Sequence, residues 1–484
     1  MSSQTDSGGL PLSPERLESL DPDIRELLLA LWRENRELKE RVRDLEARLN
    51  QNSSNSSQPP SSDRPWAKPQ RKRRIRGGKR GGQKGHPPHL RQLAPPDRVH
   101  HVQNHFPTVC PHCACGLPGG EETPGNPYRH QVIDVPQIVP EVTEHRLHYR
   151  DCPQCGRRVR ASLPSDVPRG NFGPRVGALA AVLAVAYHLS KRQVKELLHA
   201  LLGIDIALGT IVDIQTVASK ALAAPVEEVH EALKQCEVAY QDETKWPEAG
   251  KSGYAWVTAS GPYAYYEISR SRGGEVARSL LGGSKFNGYV VTDRYAGYTC
   301  YPMERRGICH AHLERDYQKI VDRGEVVRPI GESLLVLESD IFKAWHAFKD
   351  GKIDRTDLQQ CLFDIAVPYQ NLLLQGVQQV DDFKVAGMCA NIHKHWEAIW
   401  NFGWVEGMEP TNNEGERTAR HLVVLRKKCY GTQSAGGSLF VARMATVFET
   451  CRRQGVNVLE FVTDAFRAYM HGTSPPSLVV VKGT

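Results

Sequence analysis

The chain has 484 residues, 40% of them apolar and 24% charged, with a formal net charge of +7. At roughly 100–200 residues per domain, that length implies about three domains plus linkers, and the composition excludes wholesale disorder. The longest apolar stretch, Val176 to Leu189, carries Arg175 and His188 at its edges and falls short of the roughly 20 apolar residues a membrane span needs. No basic-then-apolar leader opens the sequence, so a soluble, cytoplasmic protein is expected.

Residues 1–20 are polar and rich in Pro and Ser, which predicts disorder. A heptad follows over 21–50. Ile24, Leu31, Leu38 and Leu45 form one line, and Leu28, Asn35, Val42 and Leu49 the other. This 3.5-residue period predicts a left-handed coiled coil, and Asn35 at an a position favours a parallel pair. Glu34 with Lys39, and Arg41 with Glu46, have opposite signs across such a pair. A homodimer or higher oligomer is the expected outcome.

Residues 51–100 hold a flexible Ser/Asn/Pro tether and then a basic arm. From Arg64 to Arg91 there are eleven Lys or Arg and no acid. Its core interleaves Arg71, Lys72, Arg73, Arg74, Arg76, Lys79, Arg80 and Lys84 with glycines, so the backbone can lie close to phosphates. Each neutralised phosphate releases counterion, giving DNA affinity without base reading.

Twelve cysteines are too few for a disulfide scaffold, and four fall in two CxxC pairs within 101–165. Cys110, Cys113, Cys152 and Cys155 can offer four thiolates to one tetrahedral, structural Zn²⁺, with His112 and Cys115 as alternative ligands. Short strands over 128–135 and 142–149 would complete a zinc ribbon. The next segment, 170–235, is helical by pattern. A helix ending near Gly203, a Gly-Ile-Asp turn and a helix from Leu208 have helix–turn–helix spacing, which suits either a DNA-reading unit or a plain helical connector.

From Cys236 the pattern becomes β-branched and alternating. Strands are expected over 237–242, 253–259 and 263–268, a helix over 273–281, and a fourth strand over 288–293. That order opens an RNase H-like α/β fold. Residues 313–408 read as a helical insertion; helices follow over 411–428 and 439–453, and 456–484 as a C-terminal tail. The catalytic core is thus expected in two parts, 236–312 and 409–455.

Asp242 and Asp293 end the first and fourth of these strands. Two like charges brought together are costly unless a cation holds them, and hard carboxylate oxygens suit a pair of Mg²⁺ or Mn²⁺ ions. A third acid comes from the helix opening at Asn412-Asn-Glu-Gly-Glu-Arg417. Asn413, Glu416 and Arg420 share one face of it, favouring Glu416 over Glu414. Arg417, Arg420, Arg426, Lys427 and Lys428 follow as candidate phosphate contacts.

These motifs resemble the transposases of the insertion-sequence-66 group, a branch of the DDE transposases. The resemblance runs from the zipper and the Gly82-Gln-Lys-Gly-His86 basic stretch through the zinc knuckles to three motifs: Asp242-Glu-Thr244, Thr292-Asp-Arg-Tyr-Ala-Gly-Tyr298 and Asn412-Asn-Glu-Gly-Glu-Arg417. It implies catalytic Asp242, Asp293 and Glu416, supported by Asn413 and by a Cys-x-x-His pair, Cys309 and His312. It also implies DNA as partner, both the element's terminal inverted repeats and target DNA. Helper proteins and a bacterial, nucleoid-associated setting belong to the same expectation. The chain departs from the family pattern at Thr411 and at Lys245-Trp-Pro247. The alternatives from the residues themselves are an RNase H-like metal nuclease or resolvase, and a zinc-dependent DNA-binding protein without catalysis.

Overall fold

The computed structural model describes residues 19–49, 92–120, 125–164, 166–378 and 380–479. The basic arm from Arg71 to Lys84 and nearly all of the segment expected to be disordered lie outside that set.

The heptads fall on one 28-residue helix, α1 (Pro22–Leu49). Ile24, Leu31, Leu38 and Leu45 are each about half exposed, so the described residues leave this apolar line uncovered.

In the cysteine-rich segment a short antiparallel pair, β1 (Tyr149–Asp151) and β2 (Arg158–Arg160), flanks the second knuckle. A single bridge, Val109 to Gly116, closes the first. The strands expected over 128–135 and 142–149 do not form, apart from Tyr149. Tyr128, Val132 and Val142 are more than 80% exposed. Pro136 and Pro140 lie between the two runs, where neither can donate to a ladder.

Four helices come next: α2 (Pro174–Val185), α3 (Lys191–Leu202), α4 (Leu208–Ala221) and α5 (Ala223–Leu233). Pro174 opens α2, whose residues after Arg175 are all apolar, and such a helix is driven inside. Ser190 and Gln193 form a capping box on α3, and Gly203 at φ 64° ends it.

The sheet has the order β5-β4-β3-β6-β7. Strands β3 (Val238–Lys245), β4 (Tyr254–Ser260) and β5 (Tyr263–Ser269) form an antiparallel meander. Helix α6 (Gly274–Ser279) then leads to β6 (Tyr289–Thr292), parallel to β3, and β7 (Arg306–Ile308) lies parallel to β6. The expected order of three strands, helix and strand is present; β7, at three residues, carries too little pattern to be foreseen. One boundary shifts. Strand β3 does not end at Asp242 but runs on to Lys245, because its pairing with β4 continues through Lys245 opposite Tyr254.

The insertion is α7 (His310–Val321), α8 (Arg328–Lys349), α9 (Arg355–Gln378), α10 (Phe383–His393) and α11 (Trp396–Trp400). Two long helices follow, α12 (Asn413–Cys429) and α13 (Ala435–Gln454). Helix α13 starts four residues before the expected 439, since Ser434 caps it through the Gly437 amide. Residues 456–484 are not simply a tail. Asn457 caps α14 (Val458–His471), which buries Phe461, Val462, Ala465 and Phe466. Phe466 lies so close to α2 that a Cβ on Gly177 would sit 2.9 Å from its ring.

Strand alternation sorts the sheet into two faces. Ala239, Trp256 and Val290 pack with α6 on one. Tyr240, Val257, Val291 and Ile308 point to the other, which two helical layers share. Helices α5, α12 and α13 cover β4 and β5, with α2, α4 and α14 packed behind them; the insertion covers β3, β6 and β7. Thr446 and Thr450 of α13 bond the Tyr266 and Ala264 amides of edge strand β5, which shields that edge from stray pairing. A second tie is a histidine pair, His188 Nε2 lying 3.2 Å from His421 Nδ1. Burial, then His188 itself, lowers His421 to about 4.

The insertion is pinned by buried polar groups. His310 lies 2.8 Å from Glu338 and 2.9 Å from the Ile399 carbonyl, and Tyr369 donates to Glu338 at 2.7 Å. Burial opposes charge on His310, but the Glu338 carboxylate overrides it and holds the imidazole above its usual range. Such satisfied networks fix one arrangement of helices. His393 and His395 are likewise engaged locally, with Gln370 and the Asn391 carbonyl.

Candidate active site and metal-ligating cysteines

The seam between the two helical layers is where the acids meet. Parallel pairing of β3 with β6 sets Tyr240 opposite Val291; carried two residues on, the same register brings Asp242 level with Asp293 on the same face. Burial first, then the charges of Glu243, Asp293 and Glu416, push the Asp242 carboxyl well above the usual carboxylate range. Asp293 turns the chain after β6, its Oδ1 accepting the Tyr295 amide at 2.8 Å.

Helix α12 brings the third acid. Asn412, just before it, donates from Nδ2 to the Gln241 carbonyl at 2.7 Å, and its amide reaches Cys309 Sγ at 3.1 Å. One residue thus staples α12 to β3 beside Asp242 and to the start of α7. Gly415 leaves room for it, since a Cβ there would lie 2.6 Å from Asn412 Oδ1. Asn413, the expected support, is exposed instead. A pair of asparagines before a helix gives no sign of which one the neighbouring strand will bury.

Glu414 and Glu416 point apart. Glu414 is bound by Arg453 of α13. Glu416 Oε1 lies 3.5 Å from His312 Nδ1 and 3.9 Å from Arg315, and it is buried without a hydrogen-bond partner. Cys309, His312 and Glu416 can bring one ligand atom each within 4.8 Å of one another. Burial above all lifts the Cys309 thiol to about 12. Burial, then Arg315, lowers His312.

Behind Asp242, on the opposite face, sits an unforeseen acid. Glu243 is almost buried; Arg272 bonds it at 2.6 Å, and the Tyr298 hydroxyl donates to it. Arg272 also lies 3.7 Å over the Tyr295 ring, and the Tyr295 hydroxyl returns a bond to the Arg272 carbonyl. The turn carrying Asp293 is thereby clamped to β3. The tyrosines of Thr292–Tyr298 were visible in sequence, but their joint target was not.

Among the basic candidates on α12, Arg417, Arg420, Lys427 and Lys428 are exposed. Arg426 differs, its guanidinium bonding Thr244 Oγ1 at 2.9 Å and the Lys245 carbonyl. It braces β3 against α12 and is half-buried.

The cysteines gather differently from the expected quartet. Cys110, Cys113 and Cys115 form one group with ligand atoms within 4.8 Å of one another, Cys113 Sγ lying 3.2 Å from Cys115 Sγ. Cys152 and Cys155 form a separate pair, in which hydrogen bonds from the Cys155 and Gln154 amides, followed by that from the Cys155 thiol, lower Cys152. Two tight turns each gather their own sulfurs, and no described contact joins them. Among the described residues, no helix is long and apolar enough to cross a membrane.

Comparison with known proteins adds four likenesses. Residues 13–92 match a family of unknown function, DUF6444. The chain is 25% identical over 276 residues to the uncharacterized protein y4qI of Sinorhizobium fredii, covering 50% of this chain and 49% of that protein; it thus spans about half the length of that relative. It is 22% identical over 398 residues to the uncharacterized protein y4hP of the same organism, covering 74% and 70%. Residues 169–439, which hold the helical unit, the sheet, the insertion and α12, match the Transposase IS66 family, and the chain belongs to that family, within the DDE transposases of RNase H-like fold.

Proposed function

We propose that this chain is the DNA transposase of an insertion sequence, using Asp242, Asp293 and Glu416 for divalent-metal-dependent cleavage and strand transfer. One observation carries the reading: acids from β3, from the turn after β6 and from α12 meet at one half-buried seam, where the charges of Asp293 and Glu416 add to burial and to Glu243 in raising the Asp242 carboxyl. The donor set fits Mg²⁺ or Mn²⁺, since all three are hard carboxylates and Glu416 Oε1 is buried without a hydrogen bond. When bound, two such ions supply Lewis-acid activation of the attacking hydroxyl and charge relief at the leaving oxygen.

The chain's own residues do the rest. Asp242 and Asp293 are set on a sheet whose register leaves them little freedom, and Asn412 fixes the approach of Glu416. His312 and Arg315 flank Glu416 and turn donors toward the same seam, where a phosphate oxygen would lie. Arg417, Arg420, Lys427 and Lys428 offer an exposed cationic line for the DNA backbone, joined by the arm from Arg71 to Lys84.

The remaining parts follow the same reading. Cys110, Cys113 and Cys115, with one thiolate of the Cys152–Cys155 knuckle as the fourth ligand, would hold a structural Zn²⁺; four thiolates suit that ion. The exposed line on α1 pairs with a second copy. The domain order is coiled coil, tether and basic arm, zinc segment, helical unit, and a catalytic core split by the insertion. Terminal inverted repeats and target DNA are the substrates, in a bacterial cytoplasm, with helper proteins as further partners.

The test uses purified full chain, Mg²⁺ and a duplex ending in the inverted repeats that bracket the gene. A nick leaving a 3′-hydroxyl, then a joined product, is expected. Asp293→Asn should keep binding and lose both. Hydrolysis without joining would reduce the protein to a nuclease, and cleavage surviving in Asp293→Asn would overturn the site.

A further inference from the structure

The last turn of α12 presents an aromatic ring in an unusual way. Tyr430 caps the helix in the left-handed region, at φ 57°, with its amide bonded to the Arg426 carbonyl at 2.7 Å. That place normally falls to Gly or Asn, and a bulky aromatic there is an outlier. Its side chain is also unpacked: Tyr430 is 79% exposed.

The loop behind it is rigid. Gly431, at φ 103°, passes so near Pro247 that a Cβ would lie 2.0 Å from the Pro247 carbonyl oxygen. Thr432 then bonds that carbonyl at 3.0 Å through its amide, accepts the Ala249 amide at 2.8 Å, and accepts the buried Trp246 indole at 3.1 Å. This docking fixes the backbone on either side of Tyr430 and turns the ring outward. Lys427 and Lys428 precede it, exposed; like Arg420, they have no hydrogen bond or ion pair among the described residues. From Glu416, the exposed side of α12 therefore runs in a line past unbonded cations at Arg420, Lys427 and Lys428 to an outward-turned aromatic. At 1.5 Å per residue that line is about 20 Å long, or about six nucleotide steps.

We propose that Tyr430 is a base-stacking element, taking an unpaired nucleobase of the bound DNA about six nucleotides from the carboxylate seam, while Lys427 and Lys428 hold the adjoining phosphates. A ring face accepts any base, and a ring carried on a held backbone has only its own two side-chain torsions to lose on stacking. A strained backbone kept at an exposed aromatic is accounted for by such a contact. The inference rests on the DNA-handling reading above and adds to it the ligand class of one further residue.

The test uses the full chain and a forked duplex carrying 2-aminopurine in its single-stranded arm. Wild type should bind it and quench the fluorophore. Tyr430→Ala should weaken binding by about fivefold to a hundredfold and abolish the quench, without changing the salt dependence. Lys427→Ala should instead keep the quench and lower the salt slope by about 0.7. Tyr430→Gly, which suits the left-handed backbone, should melt no lower than wild type yet bind like Tyr430→Ala. An unchanged quench in Tyr430→Ala would overturn the proposal, and so would a lower melting temperature in Tyr430→Gly, because the ring would then be structural. Wild type that binds neither fork nor plain duplex would sink the DNA reading itself.

Discussion

The carboxylate seam and the cysteine knuckles are both candidate metal sites, and they are built in opposite ways. Cys110, Cys113 and Cys115 lie within six consecutive residues and are gathered by one turn. Asp242, Asp293 and Glu416 come from a strand, a turn and a helix, and only sheet register and helix packing bring them together. The knuckle is partly or fully exposed, whereas the seam is walled by two cores. A local site can be lost without the fold. A site made by the fold cannot move without it, and its acids are held near one another by the surrounding packing.

The strongest way to break this contrast is at the seam. Asp242→Asn should abolish Mg²⁺-dependent cleavage while raising the melting temperature of the metal-free protein, because it removes a buried like charge. In wild type, added Mg²⁺ should raise the melting temperature by mass action, and in Asp242→Asn it should do so much less. Thermal scans with and without the ion decide this; a destabilised Asp242→Asn would mean the carboxylate is structural.

At the knuckles the expected loss is of zinc and not of fold. Cys113→Ser and Cys115→Ser should each release most of the bound zinc, measured by a colorimetric chelator, and leave the main unfolding transition in place. If chelation instead melts the sheet, the cysteine segment is no local appendage.

Glu243→Gln probes the clamp behind the seam. Arg272 would lose an ionised partner, costing about 1–3 kcal/mol in urea unfolding, and the Asp293 turn would loosen. A raised Mg²⁺ requirement for cleavage should accompany the change, with Tyr298→Phe acting in the same direction but less strongly.

The smallest effect concerns His421, which burial and His188 hold at about 4 against an ordinary 6.5. The unfolded chain takes up this proton before the folded one does. Stability is therefore intact above about pH 6.5 and falls as pH drops toward 4. His421→Gln should flatten that slope in melting curves recorded between pH 7 and 5.

Much of this was legible in sequence because it is local. Ser190 with Gln193, Gly203 as a stop, and the alternating runs after Cys236 each act within a few residues, so the helices and most strands fell near their expected places. The C-terminal helix, expected to be a tail, carried a local signal of the same kind in Asn457 and the spacing of Phe461, Val462, Ala465 and Phe466. The strands expected near Tyr128 and Val142 failed for the converse reason, since β propensity without a partner makes no ladder.

What the sequence determined alone is therefore the set of elements and the chemistry each carries: a heptad helix, a basic arm, thiolate knuckles, and acids in three motifs. Only the tertiary structure decided which of neighbouring residues serve. It turned Glu416 into the seam and Glu414 onto Arg453, buried Asn412 and exposed Asn413, and spent Arg426 on a brace. Such choices depend on the direction from which a distant strand or helix arrives, and a residue's immediate neighbours in the chain carry no record of that direction.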